Sequence, residues 1–295
     1  MKRKILKKML SFGFVDKTAR FRMIRFPYSK INIGLYVTGR RPDGFHNIES
    51  LFYPVPFREI LEVVEAPLRG RNSVHLNLSG LPLEGDAASN LVVRAYDLLA
   101  SDFDLPAVDV YLHKVIPGGS GLGGGSSDGA SMILMMNEFA GLRLDQADLE
   151  GYAARLGSDC PFFIRSEPAR VTGRGEVLEA AAISLSGMYM MLFRPDEGIS
   201  TAEAYRHVKM EGPPFPLGDL IGAREPHRLA ELSNAFEPFA RERVPLIGRM
   251  LDQLRKGEAI CAFLTGSGSA VFALYSHPAE PPAGLSQYLL WSGCL

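Results

Sequence analysis

The segment P-G-G-S-G-L-G-G-G-S-S, Pro117 to Ser127, constrains this chain more than any other. Six of its residues are glycine and only Leu122 carries a side chain large enough to fill a core, so what the run offers is backbone. Glycine tolerates positive φ and close approach, which lets successive N–H groups converge on one point. Directly after it, S-S-D-G-A-S-M-I-L-M-M-N-E-F-A reads as a helix, with Ser126 or Ser127 as N-cap, Asp128 in the first turn and Gly141 as terminator. Ahead of it, V-D-V-Y-L-H-K-V alternates as a strand. Strand, glycine loop and helix N-terminus in that order make an anion site and point to the phosphates of a nucleotide.

Several loop types share this outline, and the letters separate them. A Walker A loop requires G-x-x-x-x-G-K-[ST], because its lysine reaches the outer phosphates, and no lysine lies in this loop. Gly119, Gly121 and Gly124 satisfy G-x-G-x-x-G, a weak match in a run so dense in glycine. A dinucleotide site also needs an acid at the end of the next strand, whereas Asp145, the acid at about that distance, opens a second helix. Protein-kinase H-R-D and D-F-G motifs are absent.

Upstream, I-N-I-G-L-Y-V alternates, which predicts a strand with Ile31, Ile33, Leu35 and Val37 on one face and Asn32 on the other, where Lys30 at the strand entrance also points. The turn chemistry of P-D-G follows, then strands in I-E-S-L-F-Y-P-V, E-I-L-E-V-V-E and S-V-H-L-N-L, and a helix from Asn90 to Leu99. Beyond the loop helix, Asp145 and Asp148 form a capping pattern for a helix ending at Gly157, and S-D-C-P-F-F-I reads as a tight turn at Asp159 before an apolar strand. G-M-Y-M-M-L-F reads as a buried strand, followed by a Pro-rich loop at 212–218, helical segments, and the strand pair A-I-C-A-F-L and S-A-V-F-A-L-Y joined by T-G-S-G. The domain seam is expected near residues 180 to 190.

Composition closes off several classes. A chain of 295 residues, 46% hydrophobic, can bury one large or two medium cores. A net charge of -1 gives the molecule no general bias toward nucleic acid or an anionic membrane. Cys160, Cys261 and Cys294 are odd in number and widely spaced, without zinc spacing, which fits a reducing cytoplasm. No apolar run is long enough to span a membrane. Residues 1–22 stand apart: eight are Lys or Arg and only Asp16 is acidic. They are expected to be a frayed basic extension or to lie upstream of a true start at Met23, with a membrane- or nucleic-acid-touching arm as the alternative.

Three ordered motifs then carry a resemblance: S-K-I-N-I-G-L-Y-V-T-G-R-R-P-D-G-F-H, P-G-G-S-G-L-G-G-G-S-S-D-G-A and L-T-G-S-G-S-A-V-F-A, with L-G-S-D-C-P-F-F between the last two. Over about Met23 to Tyr275 the chain resembles the GHMP small-molecule kinases. General members have a shorter loop, near G-L-G-S-S-A, so the longer loop and R-P-D-G-F-H point to the branch acting on a cytidyl diphosphate substrate in isoprenoid precursor synthesis. The resemblance implies an α+β, two-domain fold: a ribosomal-protein-S5-like N-terminal nucleotide domain over 23–182 and a ferredoxin-like C-terminal domain over 183–295 completing the substrate cleft. It implies a soluble cytoplasmic kinase using ATP and Mg2+, a monomer or homodimer, with no nucleic-acid or membrane partner.

By the same resemblance Lys30 and Asp159 are the catalytic pair. Phosphoryl transfer asks for positioning and charge stabilisation, so Asp159 would take the proton of the attacking hydroxyl while Lys30 steadies it. Taken alone, Asp159 reads equally as a turn cap and Lys30 as a solvated strand end. ATP falls to Pro117, Gly118, Gly119, Ser120, Gly121, Leu122, Gly123, Gly124, Gly125, Ser126 and Ser127, with Lys114 near the adenine or the phosphates, or merely at a strand edge. Ser127 is a candidate magnesium ligand, or a simple helix cap. Substrate contacts fall to Asn32, Phe45, His46, Tyr205, Gly266, Ser267 and Gly268. Phe45 stands where tyrosine is common in the family, preserving stacking but losing a hydroxyl. Tyr205 is a second stacking aromatic or helix core, and Gly266 to Gly268 a substrate-side turn or an ordinary β turn. The competing readings are a homoserine- or mevalonate-type kinase, which would have no base to stack on, and a non-catalytic nucleotide-binding protein of the same fold.

Overall fold

The computed structural model of the chain describes residues 21–83, 85–214, 216–217 and 226–295. Most of the basic extension therefore lies outside the described residues, as does part of the Pro-rich loop. The described fold extends ahead of Met23: Arg22 opens β1 (Arg22–Arg25), opposite Val64, and the Phe21 ring meets Phe139 edge-on at 4.8 Å.

Three four-stranded sheets are built from short-range alternation. In the first, β1, β4 (Ile60–Glu65), β6 (Val108–Lys114) and β5 (Val74–Gly80) lie side by side in that order. Only β5 and β6 run parallel, and a parallel pair needs a crossover; α1 (Leu91–Ala100), capped by the Asn90 side chain on Val92 N, supplies it. The alternate residues Val108, Val110 and Leu112 face a core shared with α1, α2 (Gly124–Phe139) and α3 (Gln146–Leu156). Met132, Met135 and Met136 fill that core, as their spacing on the loop helix predicts. The Asp145/Asp148 capping box opens α3.

The second sheet is antiparallel: β2 (Tyr28–Arg40), β3 (His46–Arg58), β7 (Ala169–Thr172) and β8 (Val177–Ala180). β2 departs from simple alternation. Gly34, at φ +70, makes a bulge, so Ile31 and Ile33 enter one core while Leu35 and Val37 enter another. The third sheet, β10 (Cys261–Leu264), β11 (Val271–Tyr275), β9 (Tyr189–Phe193) and β12 (Leu289–Cys294), is wholly antiparallel. From one edge its strands read fourth, first, third, second. That is the ferredoxin-like order, with the usual second helix reduced among the described residues to one 3-10 turn, Ser286–Tyr288. One face is covered by α5 (Thr201–His207), α6 (Glu237–Arg243) and α7 (Pro245–Lys256). On the other, Met190, Leu192 and Phe272 share a core with Ile31, Ile33 and Leu51 of the second sheet. This apolar contact holds the two halves of the chain together and sets the walls of the cleft between them.

Two local expectations are corrected. S-D-C-P-F-F-I forms no strand: Cys160–Arg165 is a helix, α4, with Pro161 in its first turn, a position where proline's missing N–H costs nothing. The loop helix starts at Gly124 rather than after Ser126, because Gly123 at φ 72 takes the cap position. Its end is as expected: Gly141, at φ 65, donates its N–H to Glu138 O.

Candidate active site

The glycine loop is a backbone cradle. Gly119, Gly121 and Gly123 have φ of +63, +79 and +72, while Ser120 and Leu122 between them do not enter the left-handed region. Such alternation turns successive N–H groups to one side. The first turn of α2 adds amides with no intrahelical partner, at the positive end of the helix dipole. The loop is sewn to both halves of the protein. Lys30 N donates to Leu122 O at 2.9 Å, and Ala270 N to Ser120 O at 3.1 Å. Gly121 lies so close to the second glycine turn that a Cβ there would collide with Thr265 O, and a Cβ on Gly266 would stand 2.9 Å from Gly121 Cα. The two glycine motifs, far apart in sequence, therefore form one junction.

Below the loop is a cavity of about 290 Å³ reached by Lys114, Ile116, Ser126 and Asp128. Lys114 is no solvated strand edge. It is buried, with its ammonium on Glu59 Oε1 and 2.7 Å from Asp128 Oδ2. Glu59, fully buried, also accepts the backbone amides of Val115 and Ile116. Asp128 has fewer partners, and its Oδ1 accepts nothing. Burial pushes its carboxyl up to about 7, with Lys114 opposing and the nearby Glu59 charge adding to the rise. Burial depresses Lys114, but the two carboxylates outweigh it and leave the ammonium above its ordinary value. Ser127, the candidate magnesium ligand, is set back from the glycine-loop cavity. It is buried inside the helix and lines a different cavity, beside Pro27, Tyr28 and Phe163, while its neighbour Ser126 lines the loop cavity. It is not the helix cap either.

Lys30 and Asp159 meet at the cleft floor, Nζ to Oδ2 at 3.4 Å. The lysine side chain is 4% exposed and the aspartate 30%, so the carboxylate faces the open cavity and the ammonium lies behind it. Asp159 occupies the N-cap position of α4 but makes no capping bond, which leaves its carboxylate available. Lys30 is held by Asn32 Oδ1 at 2.6 Å and by the face of Phe52, with Nζ 4.3 Å from its ring centroid. Asn32 is a hub. Its Oδ1 also accepts Gly266 N at 2.9 Å, its backbone N donates to Thr265 Oγ1 at 3.1 Å, and its Nδ2 donates to Ser50 Oγ at 3.0 Å. Asn234 closes the same turn from the far side, with Nδ2 donating to Leu264 O and Gly266 O. Ser267 Oγ lies 3.0 Å from Thr201 Oγ1, at the start of α5.

Beyond Asp159 the cleft widens into about 760 Å³ lined by Arg40, Phe45, His46, Arg174, Tyr205 and Arg206. His46 and Tyr205 are stacked, with centroids 5.0 Å apart and planes at 23°, so no third ring fits between them. Tyr205 is both helix core and site wall: its ring also meets Phe236 edge-on at 4.9 Å. Burial, and then the Asp159 charge, push its phenol up to about 12, which keeps it neutral. Phe45 is 53% exposed and presents a free ring face toward the cavity rim, with Arg174 stacked 4.4 Å from its centroid.

Sequence reasoning placed Lys30, Asn32, Asp159, Gly266, Ser267 and Tyr205 around one cavity, and the structure brings those six together. Gly268 stands apart, packed against Ile199 and Leu264 behind the turn. Sequence reasoning missed Glu59, Ser50, Asn234 and Thr201, which carry no motif, and Thr265, which the T-G-S-G motif contained. It also missed Arg174, on the unpredicted β7–β8 hairpin. Among the described residues no group of three His, Cys, Asp or Glu side chains is arranged to hold a metal ion, and no helix is long and apolar enough to cross a membrane.

An S5-like half carrying an anion-binding glycine loop, a ferredoxin-like half carrying a second glycine turn, and a Lys–Asp pair between them define a GHMP kinase. The pattern of the GHMP kinases N terminal domain matches residues 90–167, and that of the GHMP kinases C terminal domain residues 219–288. The chain is 39% identical over 275 residues to the 4-diphosphocytidyl-2-C-methyl-D-erythritol kinase of Parabacteroides distasonis, spanning 92% of this chain and 100% of that one. A crystal structure of 4-(cytidine 5'-diphospho)-2C-methyl-D-erythritol kinase superposes with a TM-score of 0.73 at 30% identity, covering 92% of this chain and 98% of that one. Homoserine kinase from Cytophaga hutchinsonii, at a TM-score of 0.64 and 15% identity over 90% of this chain and 88% of its own, shares the fold. The chain belongs to the 4-diphosphocytidyl-2-C-methyl-D-erythritol kinase family. It is an ATP-dependent kinase acting on a small molecule.

Proposed function

We propose that the chain phosphorylates the 2-hydroxyl of 4-diphosphocytidyl-2-C-methyl-D-erythritol, with ATP as phosphoryl donor, in isoprenoid precursor synthesis. One observation carries the reading: the Asp159 carboxylate, backed by Lys30 at 3.4 Å, opens into a cleft with the glycine loop on one side and the His46–Tyr205 pair on the other. A hydroxyl placed there has a base beside it, phosphate-binding amides near it and aromatic faces for a nucleobase beyond.

Asp159 accepts the hydroxyl proton as the oxygen attacks phosphorus. Lys30 holds Asp159 in place and neutralises charge that builds on the transferring group. Asn32 fixes the ammonium and locks the second glycine turn to the same point, so closure of the two halves and alignment of the base are one event. The loop amides and the α2 N-terminus hold the ATP phosphates. Mg2+ would balance the charge on those phosphates, and Ser126 and Asp128, which line the loop cavity, are the residues that would hold it. We assign 23–182 and 183–295 to two domains, supported by the strands of the third sheet, which all fall after the seam. The same reading takes the enzyme as cytoplasmic, and as a monomer or homodimer.

The test is ADP release with the cytidyl substrate, homoserine and mevalonate in parallel. Turnover is expected with the cytidyl substrate alone; turnover only with homoserine or mevalonate refutes the substrate assignment. Asp159→Asn is expected to lower kcat by about 10²- to 10⁴-fold while ATP still binds. An unchanged kcat removes Asp159 from the mechanism.

A further inference from the structure

The catalytic carboxylate and the aromatic wall open into two adjoining cavities, of about 160 and 760 Å³. Four side chains line both: Asp159, Arg174, Thr201 and Tyr205. Arg174 is the only cation among them. Arg40 and Arg206 line the larger cavity alone, and Lys30, committed to Asn32 and Asp159, the smaller.

The backbone around Arg174 is fixed from several directions. Ile48 N donates to Gly173 O at 2.7 Å, Arg174 N donates to Glu176 Oε2 at 2.6 Å, and Gly175 N donates to Thr172 O at 3.1 Å. Gly175, at φ +124, stands so close to the catalytic residue that a Cβ would lie 3.2 Å from Asp159 Oδ1. The hairpin turn is thereby registered against the catalytic carboxylate. The guanidinium itself rests on the face of Phe45 and makes no ion pair with any described residue, though its charge reaches the exposed Asp43 carboxyl and helps hold it below its ordinary value. A half-buried guanidinium, pre-oriented by stacking and with its donors unspent, is built to take an anion in two parallel bonds.

A substrate with a nucleobase at the aromatic wall and a reacting hydroxyl at Asp159 must carry whatever joins the two past this point. We propose that Arg174 grips the diphosphate bridge of the substrate and so sets the distance between base and reacting hydroxyl. This rests on the cytidyl-substrate reading above and deepens it. Arg174 is a specificity residue: a substrate without a phosphate between its ends gains nothing from it.

The test compares wild type, Arg174→Ala and Arg174→Lys. Steady-state kinetics with the cytidyl substrate and ATP are paired with competition by CDP and by cytidine at saturating non-hydrolysable ATP analogue. Arg174→Ala is expected to raise KM for the cytidyl substrate and weaken CDP by about 10- to 100-fold, with cytidine within about twofold and KM for ATP at its wild-type value. Arg174→Lys, which keeps the charge but loses the fork, is expected to fall between. Equal weakening of CDP and cytidine, or of neither, overturns the proposal while leaving the substrate reading intact. A wild-type enzyme that does not turn over the cytidyl substrate overturns both.

Discussion

Replacing Lys114 by methionine removes the only positive charge from a buried group of three. In the wild type one ammonium serves two carboxylates, all three side chains being at most 3% exposed. Glu59 retains two backbone amides when the lysine is gone, but Asp128 loses its hydrogen-bond partner and already has one bare oxygen. Removing one partner of a buried pair costs about 3–5 kcal/mol where the survivor stays charged, because its desolvation is no longer offset, so the full cost is expected above pH 7. In reversible urea unfolding at 25 °C this lowers the midpoint by about 1 M or more. The pH dependence gives a second check. Asp128 in the folded wild type titrates near 7, above its ordinary 3.8, so its contribution is fully present below that ordinary value and is lost as pH rises through about 7. Without Lys114 its folded value rises further, so the variant's deficit is smallest near pH 6 and grows above pH 7. Since Lys114 and Asp128 line the loop cavity, KM for ATP rises as well. A Lys114→Met midpoint within error of wild type at pH 8, or a deficit that widens toward acid, would falsify this account of the trio.

Two further changes probe the junction and the aromatic wall. Gly121→Ala should cost several kcal/mol, since it combines positive φ with a collision on Thr265 O, whereas Gly118→Ala, with nothing within 4 Å, should change the melting temperature by at most a degree or two; equal stability of the two variants refutes the close-approach argument. Tyr205→Phe, which keeps both ring contacts, should leave kcat/KM for the cytidyl substrate within about twofold, and Tyr205→Ala should lower it about 10- to 100-fold, the scale of one base-stacking contact. Equal losses in the two would show that the hydroxyl, not the ring, matters.

Misreadings of the sequence trace to contacts it does not contain. The five residues after Asp159 are apolar or aromatic, a composition that short strands and short buried helices share; packing of Phe162 against Phe52 in the second sheet decides for helix. Ser126 and Ser127 are indistinguishable by neighbour, yet a helix turns about 100° between them, which puts one in the loop cavity and the other behind it. Leu35 continues an alternating pattern but changes core, because Gly34 inserts a bulge that no hydropathy count reveals.

Alone, the sequence determined what local backbone chemistry dictates. A run of glycines can only be a cradle, its alternate positive φ angles following from the missing Cβ atoms, and the apolar periodicities set the strands and helices around it. Ordered motifs determined the family. Tertiary structure decided what those pieces do to one another. Asn32 meets Thr265 across 233 residues of chain, Lys114 is neutralised by Glu59 from 55 positions earlier, and Arg174 reaches the cleft from a hairpin no motif marks. Such pairings depend on sheet register and on the apolar packing of the two halves, and neither is a property of any stretch of sequence short enough to read by itself.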